Sequence, residues 1–221
     1  MKCLLLIALA AFAGTLTHCQ LTIPPRSLGF VYLNGEDSAD VKIAAYIDLT
    51  CPDSQAAFPT LLTVAKLYYP YQVQLKLYLF SLPYHRNSHT LSKAAHVLNA
   101  YKSPKNATVY DWFTTVYKNI DSLATAATVD KTDVEVLNYV ASLAFDVSGI
   151  PEAEFIAGVS NADIDSATRL EWKYGCTRGV YGTPLFTVND VFVNADPTWS
   201  VTQWVDLIKS LLNTKRKNVV V

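Results

Sequence analysis

Glycine is scarce in this chain, eight residues in 221, and it nowhere gathers into a phosphate-cradling loop. Internal repeats and low-complexity segments are absent as well, which excludes a solenoid and argues against a disordered chain. Charge of one sign is lacking: 18 Lys and Arg against 19 Asp and Glu leave a net charge of −1, so there is no electrostatic case for a nucleic-acid partner. Histidine is sparse too. His85 and His89 are four apart with no carboxylate between them, so no metal site is expected, and His96 reads as a satisfied structural residue on a helix. What the chain has in quantity is apolar material, 51% of its residues, enough for a packed core without staples.

Only one long apolar run stands out. Leu4 to Ala13 follows the positive start Met1-Lys2-Cys3 and precedes Thr17-His18-Cys19, which reads as a signal peptide over residues 1–19. The run is too short for a comfortable membrane span. Cleavage after Cys19 would leave 221 − 19 = 202 residues with two cysteines, Cys51 and Cys176, whereas cleavage after Ala13 would keep Cys19. No membrane span is then expected in the mature chain. The absence of a KDEL-type retrieval signal favours export, to the extracellular space or an endomembrane lumen. Residues 214–221, with Lys215-Arg216-Lys217 before three valines, read as a solvated tail.

Chemistry concentrates at Cys51-Pro52-Asp53-Ser54. Val41 to Ile47 is a β-rich run suited to a buried central strand, and Asp48-Leu49-Thr50 carries it to the cysteine. Thr50 with Asp53 resembles a capping signature, Pro52 suits a first helical turn, and Ala57, Leu61, Val64, Ala65 and Tyr68 recur at helical spacing as far as Pro70. Cys51 is thereby expected at a helix N-terminus, where unpaired N–H groups and the helix dipole favour a thiolate. Spacing alone leaves a reactive and an inert buried cysteine equally open.

A second element narrows the choice. Gly179-Val180-Tyr181-Gly182-Thr183-Pro184 runs into the strand Leu185 to Val188, and a proline heading a central-looking strand is either an ordinary trans proline, favoured when it stands alone, or a cis one. With Cys51-Pro52 at a strand–helix junction and Pro59 within the helix, the chain resembles the thioredoxin superfamily. Phe80-Ser81-Leu82-Pro83-Tyr84-His85-Arg86-Asn87-Ser88 resembles the F-P-L-P-x-H-x-N-A segment of DsbA-like proteins, which precedes their helical insertion. The 104 positions between Phe80 and Pro184 exceed what one crossover needs. Helical stripes fill them: Leu91, Ala94, Ala95, Leu98 and Tyr101, then Val109, Trp112, Phe113, Val116, Tyr117 and Ile120. A further helix opens with the capping box Thr132-Asp133-Val134-Glu135, a short segment follows Pro151 to Ala157, and another spans Ile164 to Tyr174. The expected fold class is α/β, a thioredoxin-like fold over residues 28–213 with a DsbA-type α-helical insertion at about 88–160.

The resemblance implies roles. Cys51 would be the nucleophile, Ser54 its hydrogen-bonding stabiliser, Pro52 and Asp53 the rest of the motif, and Thr183-Pro184 the edge that holds an extended peptide or unfolded protein substrate by strand addition. Asp53 is either a cap or a carboxylate that makes Cys51 less acidic than the family's cysteine beside a histidine. Serine in the fourth position cannot resolve a mixed disulfide, so release would come from a substrate thiol or an external one such as glutathione, with no bound cofactor. The expectation is a secreted monothiol thiol-disulfide oxidoreductase or isomerase. Two alternatives stay open: a redox-inactive peptide-binding or chaperone-like module of the same fold, and a glutathione transferase resembling the kappa type, whose serine this motif matches poorly. A Cys51–Cys176 disulfide is left to geometry. Asn106-Ala107-Thr108 is the one N-glycosylation sequon and would mark a surface loop.

Overall fold

The computed structural model describes residues 23–218; the expected signal peptide, with Cys3 and Cys19, and the final valines lie outside the described residues. Five strands form one sheet in the order β1-β3-β2-β4-β5: β1 Phe30–Val31, β2 Val41–Ile47, β3 Val73–Leu79, β4 Leu185–Val188 and β5 Val191–Val193. Strands β2 and β3 run parallel in a register from Val41↔Val73 to Ile47↔Leu79, and the other three pairings are antiparallel. β2 is therefore the middle strand, covered on both faces. Its residues Val41, Ile43, Ala45 and Ile47 pack into the larger core, while Tyr46 turns the other way into a smaller cluster with Tyr78, Phe80, Leu82 and Val180. This alternation is what a pleated strand buried on both faces requires.

α1 (Pro52–Leu67) leaves β2 directly and lays Ala57, Phe58, Leu61, Val64 and Ala65 onto the larger core. Between β3 and the returning chain lie α2 (Ser88–Ala100), α3 (Val109–Lys118), the short α4 (Ile120–Leu123), α5 (Asp133–Ser148) and α6 (Glu152–Val159). α7 (Ala162–Thr177) then leads to the Gly179–Pro184 loop, and α8 (Val201–Asn218) continues through the first part of the expected tail. The capping box expected at Thr132 forms: Thr132 Oγ1 accepts from Glu135 N at 3.2 Å, and Thr132 N donates to Glu135 Oε2 at 2.7 Å. A second box at Thr108 and Asp111 starts α3 in the same way. Gly149 ends α5 with φ +75°, where a side chain would be strained.

The Thr50–Asp53 capping signature does not form. Pro52 is the first helical residue, so Cys51 rather than Thr50 occupies the N-cap, with no side-chain cap bond. Thr50 instead directs both its N–H (2.7 Å) and its hydroxyl (2.8 Å) to Asp48 Oδ1. A buried carboxylate two residues upstream is the stronger acceptor and settles the competition. The second cluster also holds a tyrosine stack that no sequence period announces. Tyr46 lies 5.0 Å from Tyr78, and Tyr78 lies 5.2 Å from Tyr174. Burial, then the neighbouring Tyr174, pushes the Tyr46 hydroxyl up to about 12.

Candidate active site

Two segments 132 residues apart in sequence meet at the sulfur. Cys51 Sγ lies 3.2 Å from the carbonyl oxygen of Thr183, and the Thr183–Pro184 peptide bond is cis. A carbonyl only accepts, so this contact is a hydrogen bond from the thiol form. Cys51 is 5% exposed. It caps α1, whose first N–H groups lack helical partners; Pro52 contributes none, which leaves Asp53 and Ser54 as the nearest free donors of the turn.

Asp48 organises the floor of this junction. It is buried, and Oδ1 takes the two Thr50 donors while Oδ2 accepts from Leu82 N at 2.8 Å and meets His85 Nδ1 at 3.0 Å. A carboxylate offers no proton, so Nδ1 carries it. The Asp48 backbone takes part as well: its oxygen accepts from Cys51 N at 3.1 Å, and its N–H donates to Ser54 Oγ at 3.3 Å. Asp48 thus ties the end of β2, the start of α1 and the 81–85 loop into one unit. Asn87 anchors the far end of that loop through Nδ2 to Leu123 O (2.7 Å) and Thr128 Oγ1 (2.8 Å).

From the helical side, α3 delivers Tyr117. Its hydroxyl donates to Asp48 O at 3.3 Å, and Gln55 Nε2 donates to Tyr117 O at 2.6 Å. Burial, with Asp48 and Cys51 adding, pushes the Tyr117 hydroxyl well above its ordinary value, so it remains a neutral donor. Ser54 is wholly buried; its Oγ accepts from Asp48 N at 3.3 Å, and its hydroxyl also hydrogen-bonds with the Tyr117 side chain. Asp53 is exposed. The carboxylate built into the site is Asp48.

A profile of the thioredoxin family matches residues 31–209. The chain belongs to the thioredoxin family. Among solved structures it is similar to Wolbachia pipientis alpha-DsbA1, with a TM-score of 0.66, 16% identity and coverage of 90% of this chain and 96% of that one. Chlamydia trachomatis DsbA aligns with a TM-score of 0.65, 15% identity and 87% and 97% coverage. Bacillus subtilis BdbD in its oxidised form aligns with a TM-score of 0.63, 14% identity and 84% and 93% coverage. Identities this low establish the fold, a thioredoxin-like α/β domain with a DsbA-type helical insertion. A search of curated proteins returns no match.

Within this thioredoxin-family frame the structure brings together Cys51, Pro52, Ser54, Thr183 and Pro184. Cys176 stands apart. It is exposed near the end of α7 while Cys51 is buried, and both are free. His85 and His89 diverge: His85 engages Asp48, whereas His89 Nε2 meets Asp165 Oδ1 at 3.3 Å. His96 Nε2 lies 2.8 Å from the buried Glu171 Oε2, without the alignment of a hydrogen bond. Asn106 is exposed in the loop between α2 and α3, with φ +57°. Among the described residues no helix is long and apolar enough to cross a membrane.

Sequence reasoning missed Asp48 and Tyr117 as site residues. An acidic residue closing an apolar strand, three positions before the cysteine, was the available signal for Asp48. Tyr117 gave none, since it falls on the same apolar stripe as its core neighbours.

Proposed function

We propose that this protein catalyses thiol-disulfide exchange on extended peptide or unfolded protein disulfides through Cys51 alone. The observation that supports the reading is the Cys51 Sγ contact with Thr183 O at a helix N-cap, and in this reading an extended peptide adds alongside Thr183. A substrate N–H donating to Thr183 O competes with the thiol for that oxygen, so strand addition and release of the sulfur go together. The Cys51 thiolate attacks one sulfur of the substrate disulfide, a new S–S bond forms, and the second substrate sulfur leaves as thiolate. Ser54 offers no thiol to reverse this. A substrate thiolate then attacks the mixed disulfide and expels Cys51, giving isomerisation with no net change of oxidation state. Alternatively an external thiol such as glutathione attacks the substrate sulfur, frees Cys51 and leaves the substrate as a mixed disulfide with glutathione. The signal peptide read over residues 1–19 supports action in an exported, oxidising location, and Asn106 lies where a glycan would find solvent.

The test is trapping. In a Cys176→Ser background, which removes the other free thiol among the described residues, incubation with a peptide disulfide should add the mass of one half-peptide when Cys51 is present and none after Cys51→Ala; no adduct in the first, or equal adducts in both, refutes the reading. A second reading draws on the burial of Cys51 and its engagement with Thr183 O. These favour a redox-silent peptide-binding module of the same fold, for which peptide affinity would be unchanged in Cys51→Ser and no adduct would form.

A further inference from the structure

A cavity of about 480 Å³ opens between the 81–86 loop and α7, and Cys51 is not among its lining residues. Its size falls within the range of small-molecule and peptide side-chain pockets. Five basic side chains line it, His85, Arg86, His89, Arg169 and Lys173, and no acidic one does. Leu82, Pro83 and Trp172 supply an apolar part.

Most of these walls are pinned by the protein itself. Trp172 is fixed by its Nε1 donating to Ser81 O at 3.1 Å and by stacking on Phe80 at 5.8 Å between ring centres. Arg86 is fixed through Thr128 O, Lys131 O and the Asp133 carboxylate. Arg169 meets Asp165 at 3.5 Å, and Asp165 also holds His89, whose hydrogen bond keeps that carboxyl below the usual range. Lys173 has no carboxylate partner among the described residues. A rigid apolar plate beside the exposed Arg169 guanidinium and one uncompensated ammonium is complementary to a ligand with an apolar body and a carboxylate. A cavity of this size takes one or two side chains of an extended segment rather than a folded partner.

We infer that this cavity binds an acidic peptide segment, seating an aromatic or aliphatic side chain on Trp172 and a neighbouring carboxylate on Lys173 and Arg169. Leu82 and His85 reach both the cavity and Asp48, so the pocket shares a wall with the loop beside Cys51. Use of the pocket as a substrate subsite rests on the exchange reading; the binding itself does not.

The experiment measures anisotropy of a labelled, cysteine-free peptide with a Glu-Phe-Glu core, titrated with the full chain. Saturable binding is expected, equal in Cys51→Ser, weakened about tenfold by Lys173→Glu or Arg169→Glu and by exchange of the peptide glutamates for glutamine. Circular dichroism checks that both variants fold, and Lys173→Met provides a milder change expected to weaken binding in the same direction. Equal affinity for the glutamine peptide, or no effect of Lys173→Met and Lys173→Glu, overturns the inference. So does inorganic phosphate binding as tightly as the peptide, because the site would then recognise a bare anion. Failure of the trapping experiment leaves this binding untouched, which separates the two.

Discussion

Removing the Asp48 carboxylate should unsettle the junction that holds Cys51. In Asp48→Ala four donors lose their acceptor: Thr50 N, Thr50 Oγ1, Leu82 N and His85 Nδ1. The hydroxyl can rotate, and the His85 side chain, 19% exposed, can reach water. The two backbone N–H groups cannot move without dismantling the turn. At roughly 1–3 kcal/mol for each buried donor left unpaired, the loss is about 4 kcal/mol, a large share of the 5–15 kcal/mol typical of a domain. Asp48→Asn retains an oxygen for Thr50 but turns an NH₂ toward Leu82 N, so only one backbone donor is stranded and the cost is about 2 kcal/mol. Urea unfolding at neutral pH, followed by far-UV circular dichroism, reads both values. The order wild type, Asn, Ala in unfolding midpoint is expected, with Cys51 adduct formation falling in the same order. A loss below about 1 kcal/mol in Asp48→Ala would mean that the donors find other acceptors, and the organising role assigned to Asp48 would be refuted.

Three further outcomes follow from particular contacts. Tyr181 is 88% exposed in the loop that carries Thr183, so Tyr181→Ala should lower kcat/KM on peptide disulfides about tenfold while leaving Cys51 alkylation by iodoacetamide unchanged; a parallel fall in both would place the effect on the thiol instead. A Cβ on Gly175 would stand 2.5 Å from Cδ2 of Phe80, which is buried and stacked on Trp172. Gly175→Ala should therefore cost about 1–2 kcal/mol even after the helix-propensity gain, visible as a lower Tm, and an unchanged Tm would show that Phe80 gives way. Hydrogen bonding to His89 holds the Asp165 carboxyl below its ordinary value of 3.8. A depressed folded pKa gives stability that is complete above the unfolded value and lost as pH falls through the folded one. Asp165→Asn should then lower the urea midpoint at pH 6 and lower it less at about pH 2, and equal losses at both would contradict the assignment.

The architecture was legible where periodicity and punctuation agree. Val41 to Ile47 reads as a strand because four β-forming residues, Val41, Ile43, Tyr46 and Ile47, fall within a mostly apolar run of seven, and the strand has those bounds. Thr132 and Glu135 announce a helix start because both capping partners lie within three residues. The failure at Thr50 has the opposite cause. Its true partner, Asp48, competes only because the fold buries that carboxylate, and a local capping rule holds no information about burial. Cys51, Thr183 and Pro184 could be named from motifs, but their meeting at 3.2 Å depends on the antiparallel pairing of β2 with β4, a contact between distant segments. The basic pocket was less legible still. Its residues come from the 81–89 stretch and from α7, and only packing of α7 against α2 and β3 brings them onto one cavity.

Position 54 joins the architecture to the chemistry. Ser54 is the third residue of α1, wholly buried, and its Oγ accepts from Asp48 N at 3.3 Å. Sulfur is a weaker and larger acceptor, so a cysteine in this place would leave the last N–H of the β2 exit poorly satisfied in a dry environment. The oxygen therefore does for the junction what a thiol does less well: it gives the Asp48 N–H an acceptor where the strand passes into the helix that begins beside Cys51. The same oxygen cannot form a disulfide. In the proposed chemistry position 54 thus holds the turn that carries Cys51 rather than resolving its product, and the second thiol must arrive along the Thr183 edge, with the substrate or after it.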